Sequence, residues 1–251
     1  MTIGSSTDTS RPIGGRVPRR VALGTAFSLL FMAVLAAVAQ FGVLKTLVVP
    51  ADAAATTNNI AGSPGLFQAA IAAFLIVAIL DVVVARGFFV LLHRVDEPLA
   101  HLVGWLRVVY AVVFAIALVN LVDAAQLVHG AAAPTLASEP LQAQVANAVA
   151  SFDTTWHLAL GIFGLHLVGL GALLLRFAAP RPLATLVVLA GLGYLADSIG
   201  TVFVAGYVPT ISTFTFVGEA LLIVWLFWRA ARASADETVV APATQTVAVA
   251  S

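Results

Sequence analysis

The residues of this chain that could do chemistry are few, and most interrupt long apolar runs. Asp81, Arg107, His166, Asp197 and Glu219 all sit in such runs, as do Arg86, Asn120, Asp123 and His157. Carboxylates, a guanidinium and an imidazole in apolar surroundings support three kinds of chemistry. They can form an ion pair that fixes helix register, carry an exchangeable proton, or hold a cation. The choice among these depends on depth and facing, and so on the elements that carry the residues.

Other chemistries are excluded by what is missing. There is no cysteine, which rules out disulfides, thiolate catalysis, cysteine-ligated zinc and thiolate-held iron–sulfur clusters. No phosphate-binding glycine loop, zinc-protease histidine pair or nucleophile elbow is present. Gly191 and Gly193 lack the preceding strand and third glycine of a dinucleotide loop. The net charge is zero, and no basic patch suggests nucleic acid. No catalytic residue, metal site or cofactor is assigned.

The composition explains the runs. The 251 residues are 61% hydrophobic and 10% charged, with a mean hydropathy of +1.04. A soluble domain carries about 25% charge to clothe its surface; this chain cannot, so lipid must be part of its solvent. Six stretches approach or exceed the roughly 20 residues needed to cross about 30 Å of hydrocarbon. They cover about 21–44, 66–92, 99–128, 152–176, 183–205 and 211–228. They are apolar all round, unlike the alternating segments of about 10 residues in a membrane barrel. The expected fold is all-α: a polytopic bundle of six transmembrane helices over 21–230, between disordered tails at 1–20 and 231–251.

Arginine and lysine orient the bundle. Arg11, Arg16, Arg19, Arg20, Arg94, Arg176, Arg181, Arg229 and Arg232 fall on one side of a six-crossing chain, with only Lys45 on the other. The positive-inside rule then places both termini in the cytoplasm. The basic start followed by Ala37-Val38-Ala39 resembles a cleavable signal. Its apolar run is longer than the 7–15 residues or so of a signal core, which favours an uncleaved first helix.

Depth follows from a rise of about 1.5 Å per residue. Asp81, His166 and Arg107 come out at comparable levels near the midplane, with Asp81 and Arg107 facing across the tight hairpin around Pro98. Asp81 and Arg86, five residues apart, point about 140° from each other and are not expected to pair. Asp197, Glu219 and Asn120 come out in a second layer, about 8–9 residues from an outer end, with no cation in evidence. A carboxyl there can exchange a proton. His157 and His166 lie on opposite faces of one helix. His93, His101, His129 and His157 read as interfacial. Gly161, Gly164, Gly169 and Gly171, with Gly191, Gly193 and Gly200, would let helices four and five approach closely. Asp52 to Ile60 suits a short interfacial helix over the bundle mouth, with Asn58 and Asn59 as capping or turn residues.

Several of these residues also carry a likeness. The run Asp52-Ala53-Ala54-Ala55-Thr56-Thr57-Asn58-Asn59-Ile60 with Leu66-Phe67 is part of it. So are Asp81, Arg107 after Trp105-Leu106, Gly164-Leu165-His166-Leu167 and Gly191-Leu192-Gly193-Tyr194-Leu195-Ala196-Asp197-Ser198. Gly206-Tyr207 and Gly218-Glu219 are shorter matches. The chain resembles, from about Arg20 to Arg229, the bacterial six-helix membrane family catalogued as domain of unknown function 4386. The resemblance implies a multi-pass protein of the bacterial cytoplasmic membrane, and no activity.

Three functions remain open. The first is a non-enzymatic membrane component whose polar network holds the bundle together, with a membrane-protein partner or a second copy beside it. The second is a small-molecule or proton-linked carrier using the intramembrane carboxylates. The third is an intramembrane enzyme with metal or haem, for which only His166 lies near the midplane.

Overall fold

The computed structural model describes residues 19–177, 179–215 and 217–239, with the backbone alone at 214, 215 and 233–239. Among these residues there is no strand, and six helices are long and apolar enough to cross a membrane. They are span 1 (Arg19–Leu47), span 2 (Pro64–Leu92), span 3 (Glu97–Val128), span 4 (Glu139–Arg176), span 5 (Arg181–Phe203) and span 6 (Ile211–Arg232). The large apolar side chains they leave exposed include Phe27, Phe31, Phe41, Trp105, Ile116 and Leu192. A water-soluble monomer rarely exposes such continuous apolar area. The chain is a multi-pass helical membrane protein.

The helix ends follow local rules. Proline stands in the first turn of spans 2, 3, 4 and 5, where its missing N–H costs nothing. Asp96 opens span 3 by accepting from the Leu99 amide at 3.1 Å. It also pairs with Arg176 at the end of span 4, which ties two hairpins together at the end of the bundle that bears the termini.

Each span packs on its sequence neighbours, and span 6 returns to span 1, so the six close into a ring. Lipid offers little hydrophobic drive for helices to associate, so close backbone approach matters. Spans 4 and 5 meet at Gly164 and Gly191, where a Cβ on either glycine would collide with the other's carbonyl oxygen. Gly161 faces Ser198, and Gly171 faces Ala184 and Val188 across the same seam. Gly169 instead faces Val103 of span 3, and Gly200 faces Tyr207.

The largest difference from expectation lies at the far end. Span 4 begins at Glu139, not near 152, and has 38 residues, about 57 Å of helix. Much of the segment expected as a loop between 129 and 151 is therefore helical, including the short turn Ala133–Leu136. The outer part of span 4 packs against a helix at Ala53–Gly62. Asp52 caps that helix by accepting from the Ala55 amide at 2.8 Å. Asn58 and Asn59 lie inside it and are not turn residues; Asn59 Nδ2 donates to the Leu47 carbonyl at 3.1 Å, covering the end of span 1. Span 1 widens into a π-helical stretch at Val38–Leu44. After span 6 the helix continues to Val239, into the tail expected to be disordered; residues 1–18 and 240–251 lie outside the described residues.

Candidate functional site

Inside the ring, spans 1 to 4 contribute to one enclosed cluster. Asp81, Arg107 and His166 are 0%, 2% and 0% exposed. Arg107 Nη2 lies 2.7 Å from Asp81 Oδ1, the ion pair expected across the hairpin between spans 2 and 3. Arg107 Nη1 lies 3.1 Å from His166 Nε2, and Nη2 also donates to Met32 Sδ of span 1 at 3.8 Å. His166 Nδ1 lies 2.8 Å from the Val103 carbonyl oxygen. A carbonyl only accepts, so Nδ1 carries the hydrogen. Nε2 then accepts from the guanidinium, and the imidazole is neutral.

Aromatic rings close the cluster from both ends. Arg107 Cζ lies 5.2 Å from the Phe163 ring centroid and 6.0 Å from that of Phe88. Toward the far end, Tyr110, Phe114, Trp156, Phe74 and Phe152 form a continuous chain of stacked, tilted and edge-on ring contacts. Toward the termini, Phe88 separates Arg107 from a narrow apolar crevice that Leu92, Leu174 and Leu226 also line. A cleft of about 200 Å³ at the far end is lined by Ile60, Phe67, Gln68, Val128 and His129, and does not reach the cluster.

Glu219 lies beside the Tyr194 hydroxyl of span 5, and the hydrogen bonds of Asp197 and Asn120, with which depth alone grouped it, go elsewhere. Its Oε1 is enclosed and has no hydrogen-bond partner. The Trp156 indole nitrogen is also enclosed, next to the Tyr110 hydroxyl.

Asp197 has a different task. Its Oδ1 accepts from the Tyr207 hydroxyl at 2.7 Å, the Ile211 amide at 3.1 Å and the Thr210 amide at 3.2 Å. Its Oδ2 accepts from the Ser212 amide at 2.7 Å. The first amides of a helix lack intrahelical partners and carry partial positive charge. Asp197 therefore caps span 6 from span 5, and that helix end takes the place of a counter-cation. The same bond holds the Tyr207 phenol above the ordinary tyrosine range, with burial adding to it.

The remaining polar residues stay apart. Asn120 Nδ2 donates to the Ala117 carbonyl of its own helix at 3.1 Å, and Asp123 is exposed. His157 Nδ1 bonds the Asp153 carbonyl at 2.7 Å, away from His166. Arg86 lies over Phe89 and does not pair with Asp81. No three His, Asp or Glu side chains converge as a metal site requires, among the described residues.

Tyr110 and Trp156 are participants that sequence reasoning passed over, and Tyr194 and Tyr207 entered it only as parts of matched segments. For Tyr110, Tyr194 and Trp156 the available signal was a hydroxyl or indole N–H inside an apolar run, since such groups find polar neighbours when buried; Tyr207 lies in the connection between spans 5 and 6.

With this geometry in view, comparison with known proteins is informative. The family described as domain of unknown function (DUF4386) matches residues 25–230. The chain belongs to the DUF4386 family. The match takes in Asp81, Arg107, His166, Asp197 and Glu219, so both arrangements lie within the family region of this DUF4386 chain. It is also similar to an uncharacterized protein of Archaeoglobus fulgidus (strain ATCC 49558), 30% identical over 154 residues. These cover 61% of this chain and 78% of that protein. No solved structure matches.

Proposed function

We propose that this protein is a non-enzymatic component of the bacterial cytoplasmic membrane, with both termini in the cytoplasm. Its Asp81–Arg107–His166 cluster serves as an internal clamp. One observation carries this reading: every member of the cluster meets a group on another helix, and aromatic side chains shut it off at both ends. A catalytic or transport site must admit its substrate; a clamp needs no opening. Arg107 alone touches spans 1, 2 and 4 from its place on span 3. Such clamps fix which helix faces meet, because any other register leaves a bare charge in hydrocarbon.

The test compares single and paired substitutions in thermal unfolding of the detergent-solubilised protein. Asp81→Asn and Arg107→Met each destabilise strongly, and the double variant recovers a large part of the loss. Full additivity of the two losses would refute the clamp.

A second reading, a proton-linked carrier, is favoured by one feature: Glu219 Oε1 is enclosed without a donor. Proton-driven solute uptake into proteoliposomes that is abolished by Glu219→Gln would select it over the clamp alone.

A further inference from the structure

At the end of the bundle that bears the termini, the acids of the span 2–span 3 hairpin are already engaged. Asp96 pairs with Arg176, and Glu97 lies 3.8 Å from His101. Arg19 and Arg229 form no ion pair among the described residues. An excess of arginine on one side orients a membrane protein without binding anything, so a site needs more than charge. These two arginines stand at the mouth of a shaped recess.

The recess is the narrow apolar crevice beside Phe88. Span 1 lines it with Ala22, span 4 with Leu174, and span 6 with Trp225, Leu226 and Arg229. Among the described residues of this lining, Arg229 alone is charged. Its Cζ lies 5.1 Å from the Phe177 ring centroid and 5.9 Å from that of Trp225. Such contacts hold a guanidinium in place. Neither ring offers an oxygen, so the N–H donors are left for another acceptor. On the facing wall, Arg19 stands three residues before Ala22 and so on the same helix face. Spans 1 and 6 pack together here, with Phe27 edge-on to Phe227 at 4.9 Å. Two neighbouring helices thus each present a guanidinium beside a hydrocarbon-lined slot.

We propose that this mouth binds an anionic phospholipid of the adjoining leaflet. Arg229 and Arg19 take its phosphate, and the start of one acyl chain lies against Ala22, Trp225 and Leu226. A guanidinium matches phosphate oxygens with its planar fork. Tryptophans such as Trp225 and Trp228 suit the headgroup level of a bilayer, and basic pockets between spans are where anionic headgroups bind. The bound lipid bridges the first and last spans, where the ring closes. Phe88 separates the crevice from Arg107, so this site and the clamp can fail independently.

The test is the melting temperature of the full-length protein in mild detergent, titrated with phosphatidylglycerol or with phosphatidylcholine of the same acyl chains. Phosphatidylglycerol is expected to raise it to a plateau. Phosphatidylcholine, whose choline offsets the phosphate charge, and inorganic phosphate, which has no chain for the crevice, are expected to have little effect. Arg229→Gln is expected to raise the half-saturating concentration of phosphatidylglycerol about tenfold, the scale of one lost hydrogen bond to a charged group. Arg94→Gln, on the same side in the loop between spans 2 and 3, is expected to keep the wild-type titration. An equal loss in Arg94→Gln overturns the proposal, because the attraction is then diffuse. So does a wild type that ignores phosphatidylglycerol, or one that responds as strongly to phosphatidylcholine or to inorganic phosphate. An Arg229→Gln titration like that of the wild type overturns it too. Should Arg229→Gln fail to fold, Arg229→Lys decides. It keeps the charge and loses the fork, and is expected to weaken binding; an unchanged titration overturns the site.

Discussion

Two buried aspartates, Asp81 in span 2 and Asp197 in span 5, occupy similar apolar sequence and answer to different partners. Asp81 faces a side-chain cation from span 3, whose other nitrogen contacts reach residues 59 and 75 positions away in sequence. Asp197 faces backbone amides and a phenol within 10 to 15 positions. The first closes long loops between helices that lipid would not bring together unaided. The second finishes one helix end close to its own connection. A carboxylate in a membrane span is therefore not one kind of site; the donor set decides whether it organises the whole bundle or a single turn.

That contrast predicts a ranking of losses. Arg107→Leu should be the most damaging change. It leaves Asp81 buried without its cation and is expected to cost about 3–5 kcal/mol, read as a fall in melting temperature and in folded yield. An unchanged melting curve would remove the distinction between the two aspartates. Asp197→Ala should cost less, about 2 kcal/mol, as expected for a lost charged cap. Its signature is local: faster amide exchange at the start of span 6, with spans 2 and 3 unaffected. Exchange that accelerates everywhere would make Asp197 part of the global clamp.

Backbone packing offers a comparison free of charge. Gly164→Val forces a side chain onto the Gly191 carbonyl and is expected to cost about 1–3 kcal/mol. It should loosen the seam between spans 4 and 5 while leaving the Asp81–Arg107 contact in place, checked by cross-linking of paired cysteines introduced along that seam. The smallest effect is expected at the exposed pair of Arg176 and Asp96. Arg176→Ala should change stability by about 0.5 kcal/mol, because water and salt screen such pairs. A loss comparable to that at Arg107 would show this end of the bundle to be shielded from solvent.

Much of the architecture was legible before any coordinates. Six apolar stretches, the short hairpins around Pro98 and Pro180, a short helix near Asp52 to Ile60 and the pairing of Asp81 with Arg107 all follow from local rules or from counting along helices. The outer third or so of span 4 was not legible. Residues 139–151 are mixed in polarity, and they are helical where the helix at Ala53–Gly62 packs on that side of the bundle. The second layer of Asp197, Glu219 and Asn120 failed for a related reason. Counting residues yields depth, and these three share a depth estimate while differing in their neighbours.

The amino-acid sequence by itself determined that the chain must live in lipid, how many times it can cross, and which residues are costly to leave unpaired there. Those are properties of composition and of helical rise. Only the tertiary structure decided that Tyr194 sits beside Glu219, that Asp197 serves a helix end, and that aromatic rings seal the cluster. Lateral neighbours are set by how six helices close into a ring, and no spacing within one helix encodes the azimuth of another.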